Sequence, residues 1–252
     1  MDELPQSFEG GIIVKKVIIF GFALMFMIIS SSGCIYENNT EIKERLMAYA
    51  VEKYGGDYTE MYYQRAVDRT RSYDLCLKDS KGRLFNVSED AGSGFQYDDY
   101  LESIIDYKMR NYLIEYLGEM VNDFNISAMT SMNVFTDLET LEQMTIEKCI
   151  EEFGLSSLIF VCHFDESKGN IEEKSEELVE IYKKLCGIDT NVINFNVVVT
   201  TGDNSEVKQV LENMRGLYTC CWYNFKGVQE FISDALTPIN SVEDLLSLVK
   251  EG

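Results

Sequence analysis

An amphipathic segment between Leu101 and Val121 constrains the fold more than any other feature of the sequence. Its apolar residues recur at spacings of three and four over about six turns, which is the period of one helix face. A helix with such a stripe must bury it against another element. Asp98 or Asp99 can cap this helix, and the preceding strands are the natural surface for its apolar face. The stripe consists of Leu101, Ile104, Ile105, Met109, Tyr112, Leu113, Tyr116, Leu117, Met120 and Val121.

The segments before this helix predict a small antiparallel sheet. A helix over 41–54 ends at Gly55-Gly56, where glycine favours termination. Strand character follows at 58–67, 72–78 and 83–87, with a hairpin turn at 79–82. Residues 34–125 are therefore expected to form an α+β unit in the order helix, antiparallel strands and long helix.

Strands and helices alternate in residues 126–252. This alternation predicts a second unit of α/β type around a mainly parallel sheet. Its last helix is indicated by a capping box from Ser241 to Asp244. The other strands are expected at 132–136, 158–164, 192–200 and 217–225, and the other helices at 145–153, 171–186 and 206–214.

The composition excludes two classes of protein. Hydrophobic residues make up 46% of the 252-residue chain, which is too apolar for a disordered protein. The net charge is −21, and a surface this acidic is repelled by the phosphate backbone of nucleic acids. The same charge favours a basic protein partner.

The N-terminal segment has the pattern of a secretory signal peptide. Lys15-Lys16 precedes an uncharged apolar run over 17–29, and small residues follow at 30–33. The run is shorter than the about 20 apolar residues that a membrane-spanning helix needs. We therefore predict that residues 1–33 are a signal peptide.

The sequence Ser-Gly-Cys34 at the end of this segment resembles the lipobox of bacterial lipoproteins. The resemblance covers only the first 34 residues, and Ser31 stands where the family usually carries leucine. It implies cleavage before Cys34 and lipid modification of that cysteine, which would anchor the chain on the outer face of the cell membrane. Ser31-x-Gly33 also fits an ordinary signal peptidase, which would leave a secreted protein beginning at Cys34.

Residues 1–13 carry three acids, which a signal-peptide n-region normally lacks. Glu9-Gly10-Gly11 is what a purine-rich ribosome-binding site encodes when it is read in frame. Val14 follows at a distance suited to a GTG start codon. We therefore interpret residues 1–13 as untranslated sequence, and an unusually long n-region is the alternative.

The remaining six cysteines do not form a zinc motif. An exported chain could pair them in up to three disulfides, but most lie in predicted core strands or helices, where reduced cysteine packs as a small hydrophobe. We expect mostly free thiols. No CxxC spacing is present, and neighbouring cysteines on a strand point to opposite faces. These six are Cys76, Cys149, Cys162, Cys186, Cys220 and Cys221.

No catalytic, metal or cofactor site is predicted. His163 is the single histidine, it adjoins Cys162 on one predicted strand, and no G-x-S-x-G elbow is present. An ordinary hydrogen bond at a strand end is the simpler interpretation. The many acidic pairs fit a solvated surface, and no EF-hand or phosphate-binding loop is present.

These observations predict a membrane-anchored, extracytoplasmic lipoprotein that binds a partner without catalysing a reaction. The lipid on Cys34 supplies the membrane contact, a basic protein is the expected partner, and an immunity-type role is consistent with both. The solute-binding component of a transporter is the first alternative. An exported hydrolase that uses paired acids is the second alternative.

Overall fold

The computed structural model describes residues 39–64, 72–202, 211, 227–235 and 238–251. The chain separates into two compact units, Met1–Ile42 and Lys43–Gly252, and both sheets lie in the second. Several predicted features lie outside the described residues: the signal peptide, Cys34, the strand at 217–225 and all but one residue of the helix at 206–214. Among the residues that are described, no helix combines the length and the apolar character needed to cross a membrane.

The first sheet is antiparallel throughout, as the sequence predicts. Helix α1 (Asn39–Tyr54) precedes β1 (Thr59–Gln64), β2 (Ser72–Lys78), β3 (Leu84–Asp90) and β4 (Gln96–Asp98). The strands lie in the order β1-β2-β3-β4. Each strand is therefore hydrogen-bonded to its neighbour in sequence, which leaves β1 and β4 at the edges.

The long helix α2 (Tyr100–Leu117) is confirmed, and six of the ten residues of the predicted stripe are buried. The side chain of Asp98 accepts a hydrogen bond from the Tyr100 amide at 3.1 Å. The helix ends because Gly118 has a φ of +62°, and residues 118–121 continue as a 3-10 turn. The buried apolar members of the stripe are Ile104, Ile105, Met109, Leu113, Leu117 and Val121.

Helix α2 packs against strands that both precede and follow it. It contacts β3 of the first sheet, as expected, and more extensively β5 (Asn125–Ser131). Arg110 donates to the Ile126 carbonyl at 2.7 Å, and Asp106 accepts hydrogen bonds from the amide and hydroxyl of Thr130. The division into separate units at 34–125 and 126–252 stays a prediction.

The second sheet is mixed, so the expectation of a mainly parallel sheet is not confirmed. In the described residues the strand order is β5-β6-β7-β8-β9, and only β6 and β7 run parallel. The remaining elements are α3 (Leu138–Gln143), α4 (Ile146–Phe153), β6 (Ser157–Asp165), α5 (Ser175–Leu185), β7 (Val192–Thr200), β8 (Val228–Ala235), α6 (Val242–Leu246) and β9 (Lys250–Glu251).

The connection between β5 and β6 explains why these two strands run antiparallel. Ser131 at the end of β5 pairs with Ser157 at the start of β6. The connection that contains helices α3 and α4 therefore leaves the sheet and returns to it at the same end of the strands. Strands connected in this way run antiparallel, whereas α5 forms the crossover that parallel strands require. Helices α4 and α5 and strands β6 and β7 lie where the sequence predicts helices and strands, but such an alternation does not show whether a helical connection crosses the sheet or returns to the end of the strands that it left.

Three local predictions have different outcomes. The strand predicted at 132–136 is wrong, because β5 ends at Ser131 and those residues form the connection to α3. Strand β8 was not predicted at all. The helix at 145–153 is confirmed as α4, with Thr145 as its N-cap and Gly154 as its stop. The capping box at Ser241 and Asp244 is also confirmed.

A buried charge cluster joins the β2–β3 hairpin to α3. The Arg83 guanidinium bonds Asp79 and the Tyr100 hydroxyl, and its Nη1 lies 2.6 Å from Glu142 Oε1. Lys81 donates to the same Glu142 carboxylate at 2.6 Å. The side chains of Arg83 and Asp79 are only 4% and 5% exposed, so their charges depend on one another.

Candidate functional site

A cleft opens at the carboxyl ends of the parallel strands β6 and β7. This end of an open α/β sheet is where ligands usually bind. The cleft has a volume of about 210 Å³, which is below the range of about 300–1,000 Å³ typical of small-molecule sites. It can admit a group of a few atoms, such as the end of a side chain. Its lining residues are Asp123, Asn125, His163, Phe164, Asp165, Lys168 and Gly202.

His163 lies at the inner wall of this cleft. Its side chain is almost fully buried, and its Nε2 lies 2.9 Å from the Thr200 hydroxyl on the neighbouring strand. The ordinary strand-end hydrogen bond expected from the sequence is therefore present. Cys162 precedes it on β6 and is fully buried, and burial raises the pKa of the Cys162 thiol well above its usual range. A protonated thiol is a poor nucleophile.

The outer rim of the cleft carries two acids, Asp123, which is exposed, and Asp165, which is half-buried. Lys174 donates to Asp123 at 2.7 Å, and this hydrogen bond lowers the pKa of the Asp123 carboxyl. Hydrogen bonds from Ser167 lower the pKa of the Asp165 carboxyl. Both carboxyl groups are therefore ionised at neutral pH, and Lys168, which also lines the cleft, lies 3.9 Å from the Asp123 carboxylate.

Helix α5 and the turn before it extend this negative charge along the surface. Ile171, Leu178, Ile181 and Leu185 are buried, and the glutamates between them face solvent or are half-buried, as the sequence predicts. Lys174 bridges Asp123 and Glu177, so the rim and the helix form one continuous patch. We call this patch the acidic surface. It comprises Asp123, Asp165, Glu166, Glu172, Glu173, Glu176, Glu177 and Glu180.

The predicted cysteines are not gathered into one site. Cys76, Cys149 and Cys162 are buried free thiols, and Cys186 is an exposed free thiol. Cys220 and Cys221 lie outside the described residues. In the part of the chain that the structure describes, no group of three or more His, Cys, Asp or Glu side chains could hold a metal ion.

The aromatic residues of the first sheet differ in exposure. Tyr58, just before β1, packs edge-on against Phe85 with ring centroids 5.2 Å apart. Phe95 and Tyr97 are instead exposed on the β3–β4 hairpin. No periodicity distinguishes these two from the chain's other aromatic residues, so sequence reasoning missed them.

Comparison with known proteins gives one distant structural likeness. No family model matches the sequence, and no curated protein matches it. The chain is similar to the crystal structure of a DUF5037 family protein from Ruminococcus gnavus, with 13% sequence identity and a TM-score of 0.44. The match covers 82% of this chain and 98% of that chain.

Proposed function

We propose that this chain is a lipid-anchored, extracytoplasmic protein that binds a basic protein partner and catalyses no reaction. The acidic surface is the observation that carries the proposal. It places eight carboxylates around a cleft and along one helix, where the lysines number four: Lys168, Lys174, Lys183 and Lys184. Such a field steers a cationic partner into contact.

The cleft adds a place for one partner side chain. Its rim carries Asp165, whose carboxyl is ionised, and Asp123, whose charge Lys174 and Lys168 partly compensate, and its small volume suits the end of a partner side chain better than a metabolite. The resemblance of Ser-Gly-Cys34 to a lipobox supports the anchor and the external location. A lipid on Cys34 would hold the acidic domain beside an anionic leaflet, which repels it toward the outside.

Binding of an octalysine peptide to the full-length protein tests the role of the acidic surface. The triple variant Glu172→Gln, Glu176→Gln, Glu180→Gln should weaken binding about tenfold at low salt, because three exposed ion pairs contribute about 0.5 kcal/mol each. These glutamates are exposed and four residues apart, so their replacement leaves the buried stripe intact. Fluorescence anisotropy of a labelled peptide measures the affinity.

A matched control separates local charge from net charge. The variant Glu147→Gln, Glu151→Gln, Glu152→Gln removes the same three charges from exposed positions on α4. This control variant should change the affinity for octalysine less than threefold. Binding of octalysine by the wild type should disappear at about 1 M salt, where the Debye length is about 3 Å. Equal weakening by both variants would contradict a specific acidic surface. A large thermal shift with one small metabolite, and no peptide binding, would favour the solute-binding alternative.

A further inference from the structure

One of the chain's own cations is seated at the cleft. Lys168 lines the cleft, and its ammonium group donates a hydrogen bond to the main-chain carbonyl of Asp123 at 3.1 Å. The same ammonium group lies 3.9 Å from the Asp123 carboxylate. Lys168 therefore contacts the acceptors that this part of the acidic surface offers to a cation of the partner.

Lys174, the second cation beside Asp123, is held more firmly than Lys168. Its ammonium group lies 2.7 Å from Asp123, 3.3 Å from Glu177 and 5.7 Å from the ring centroid of Phe124, and its side chain is 17% exposed. The side chain of Lys168 is 47% exposed, and both of its polar contacts are to Asp123. Exposed ion pairs contribute little stability, so Lys168 can leave the cleft at a small cost.

The backbone that carries Lys168 has a defined conformation. Glu166–Lys168 is a 3-10 turn, and Asp165 caps it by accepting a hydrogen bond from a main-chain amide of the turn at 3.0 Å. Gly169 follows with a φ of +115°, and a Cβ there would lie 2.6 Å from the Glu173 carboxylate. Departure of Lys168 from the cleft therefore needs only a rotation of its long side chain.

The groups at this position identify the class of ligand. A carbonyl oxygen and a carboxylate only accept hydrogen bonds, so Asp123 offers acceptors, and Asp165 adds a second carboxylate to the same cleft. No lysine or arginine pairs with Asp165 in the part of the chain that the structure describes. An alkylammonium group has three donors and no acceptor, which suits this lining, as the position of Lys168 illustrates.

We propose that Lys168 makes an autoinhibitory contact: it occupies the cleft in the free protein and is displaced by a lysine side chain of the basic partner. The incoming ammonium group takes over the carbonyl and carboxylate of Asp123, Lys174 keeps its own contacts, and Lys168 turns to solvent. This inference rests on the proposed function, because it assumes a basic partner. It adds the type of side chain that enters the cleft and an internal competitor that limits its affinity.

Removal of the competitor should strengthen binding of octalysine to the full-length protein. Lys168→Met should raise the affinity about threefold at about 0.1 M salt, because the peptide then displaces no resident cation. Lys148→Met is the matched control, since it removes the same charge from an exposed lysine on α4. It should raise the affinity less than about 1.5-fold, because salt screens charges outside the cleft. Fluorescence anisotropy measures the affinities, and circular dichroism checks that both variants are folded.

A double-variant cycle locates the effect of Lys168. In an Asp123→Asn background, the lysine and the peptide no longer compete for the carboxylate. Lys168→Met should then raise the affinity less than about 1.5-fold, because the two substitutions remove one shared contact. A threefold gain in both backgrounds would show that Lys168 acts only through the net charge of the surface, and would overturn the autoinhibitory contact.

The outcomes distinguish this inference from the proposed function. If Lys168→Met binds octalysine no more tightly than the wild type, or if Lys148→Met gains as much, the autoinhibitory contact is wrong. The proposed function then still stands if the acidic-surface triple variant loses affinity. If neither the wild type nor Lys168→Met binds octalysine, the proposed function itself fails.

Discussion

Replacing Arg83 with methionine should lower the free energy of unfolding by about 3–5 kcal/mol, the cost of breaking a buried ion pair from one side. Its guanidinium is the counter-ion of Asp79, which is 5% exposed, and of Glu142, which is 25% exposed. Methionine fills similar volume but leaves the Asp79 carboxylate buried without its cation. Lys81 still reaches Glu142, so Asp79 accounts for most of the loss.

Urea unfolding at neutral pH, followed by circular dichroism, measures this effect. Lys183→Met is the control, because its ion pair with Glu180 is exposed and should contribute less than about 1 kcal/mol. Both variants lose one positive charge, so a large difference in their free energies of unfolding must come from the burial of the Arg83 ion pair. A loss below about 1 kcal/mol for Arg83→Met would show that the cluster does not hold the hairpin against α3.

Replacing Asp98 with asparagine should destabilise the protein by about 2 kcal/mol at pH 7 and by less in acid, because hydrogen bonds to a charged group are lost. Burial alone would raise the pKa of the Asp98 carboxyl. Hydrogen bonds from Lys53 at 2.6 Å and Tyr54 at 2.7 Å outweigh burial and hold that pKa below its usual range. The Asp98 side chain is 2% exposed, so solvent screens these contacts little.

The direction of the pH dependence follows from this lowered pKa. A carboxyl group that is more acidic in the folded state stabilises the protein above its unfolded pKa of about 4, and this contribution disappears as the pH falls through the folded pKa. The pKa values of Asp79 and Glu142 are lowered as well, despite burial, by their partners in the Arg83 cluster. The wild type should therefore lose stability steeply below about pH 4.

Urea midpoints between pH 7 and pH 3 test this dependence. The difference between the wild type and Asp98→Asn should shrink toward pH 3, while the exposed control Asp189→Asn follows the wild type throughout. A constant difference between the wild type and Asp98→Asn at every pH would contradict a lowered pKa for Asp98.

Elements with one buried face were predictable from the sequence. The stripe of α2 and the stripe through Leu178 and Leu185 on α5 are buried, because helical periodicity reports directly on which face meets the core. The ends of α4 and α6 were also predictable, since capping side chains satisfy the free amides locally. The relative direction of neighbouring strands was not predictable, because it depends on whether a connection crosses to the opposite end of the strands or returns at the end that it left.

The candidate sites were predictable only in part. The exposed glutamates around α5 were recognised because they avoid the buried stripe. The cleft was not predictable, since it forms where Asp123, before β5, meets Asp165, at the end of β6, and these residues are far apart in the sequence. Arg83 offered no signal of burial, because its partners Asp79, Tyr100 and Glu142 come together only in the folded chain.

The proposed lipid on Cys34 would determine where the protein acts. Metabolic labelling of cells that express the full-length chain with a palmitate analogue, followed by membrane fractionation, tests it most directly. Wild type and Cys186→Ala, which alters an exposed cysteine elsewhere, should both be labelled and stay with the membranes. Cys34→Ala should lose the label and leave the membrane fraction. A Cys34→Ala protein that still takes up palmitate and stays membrane-bound would contradict the lipoprotein assignment.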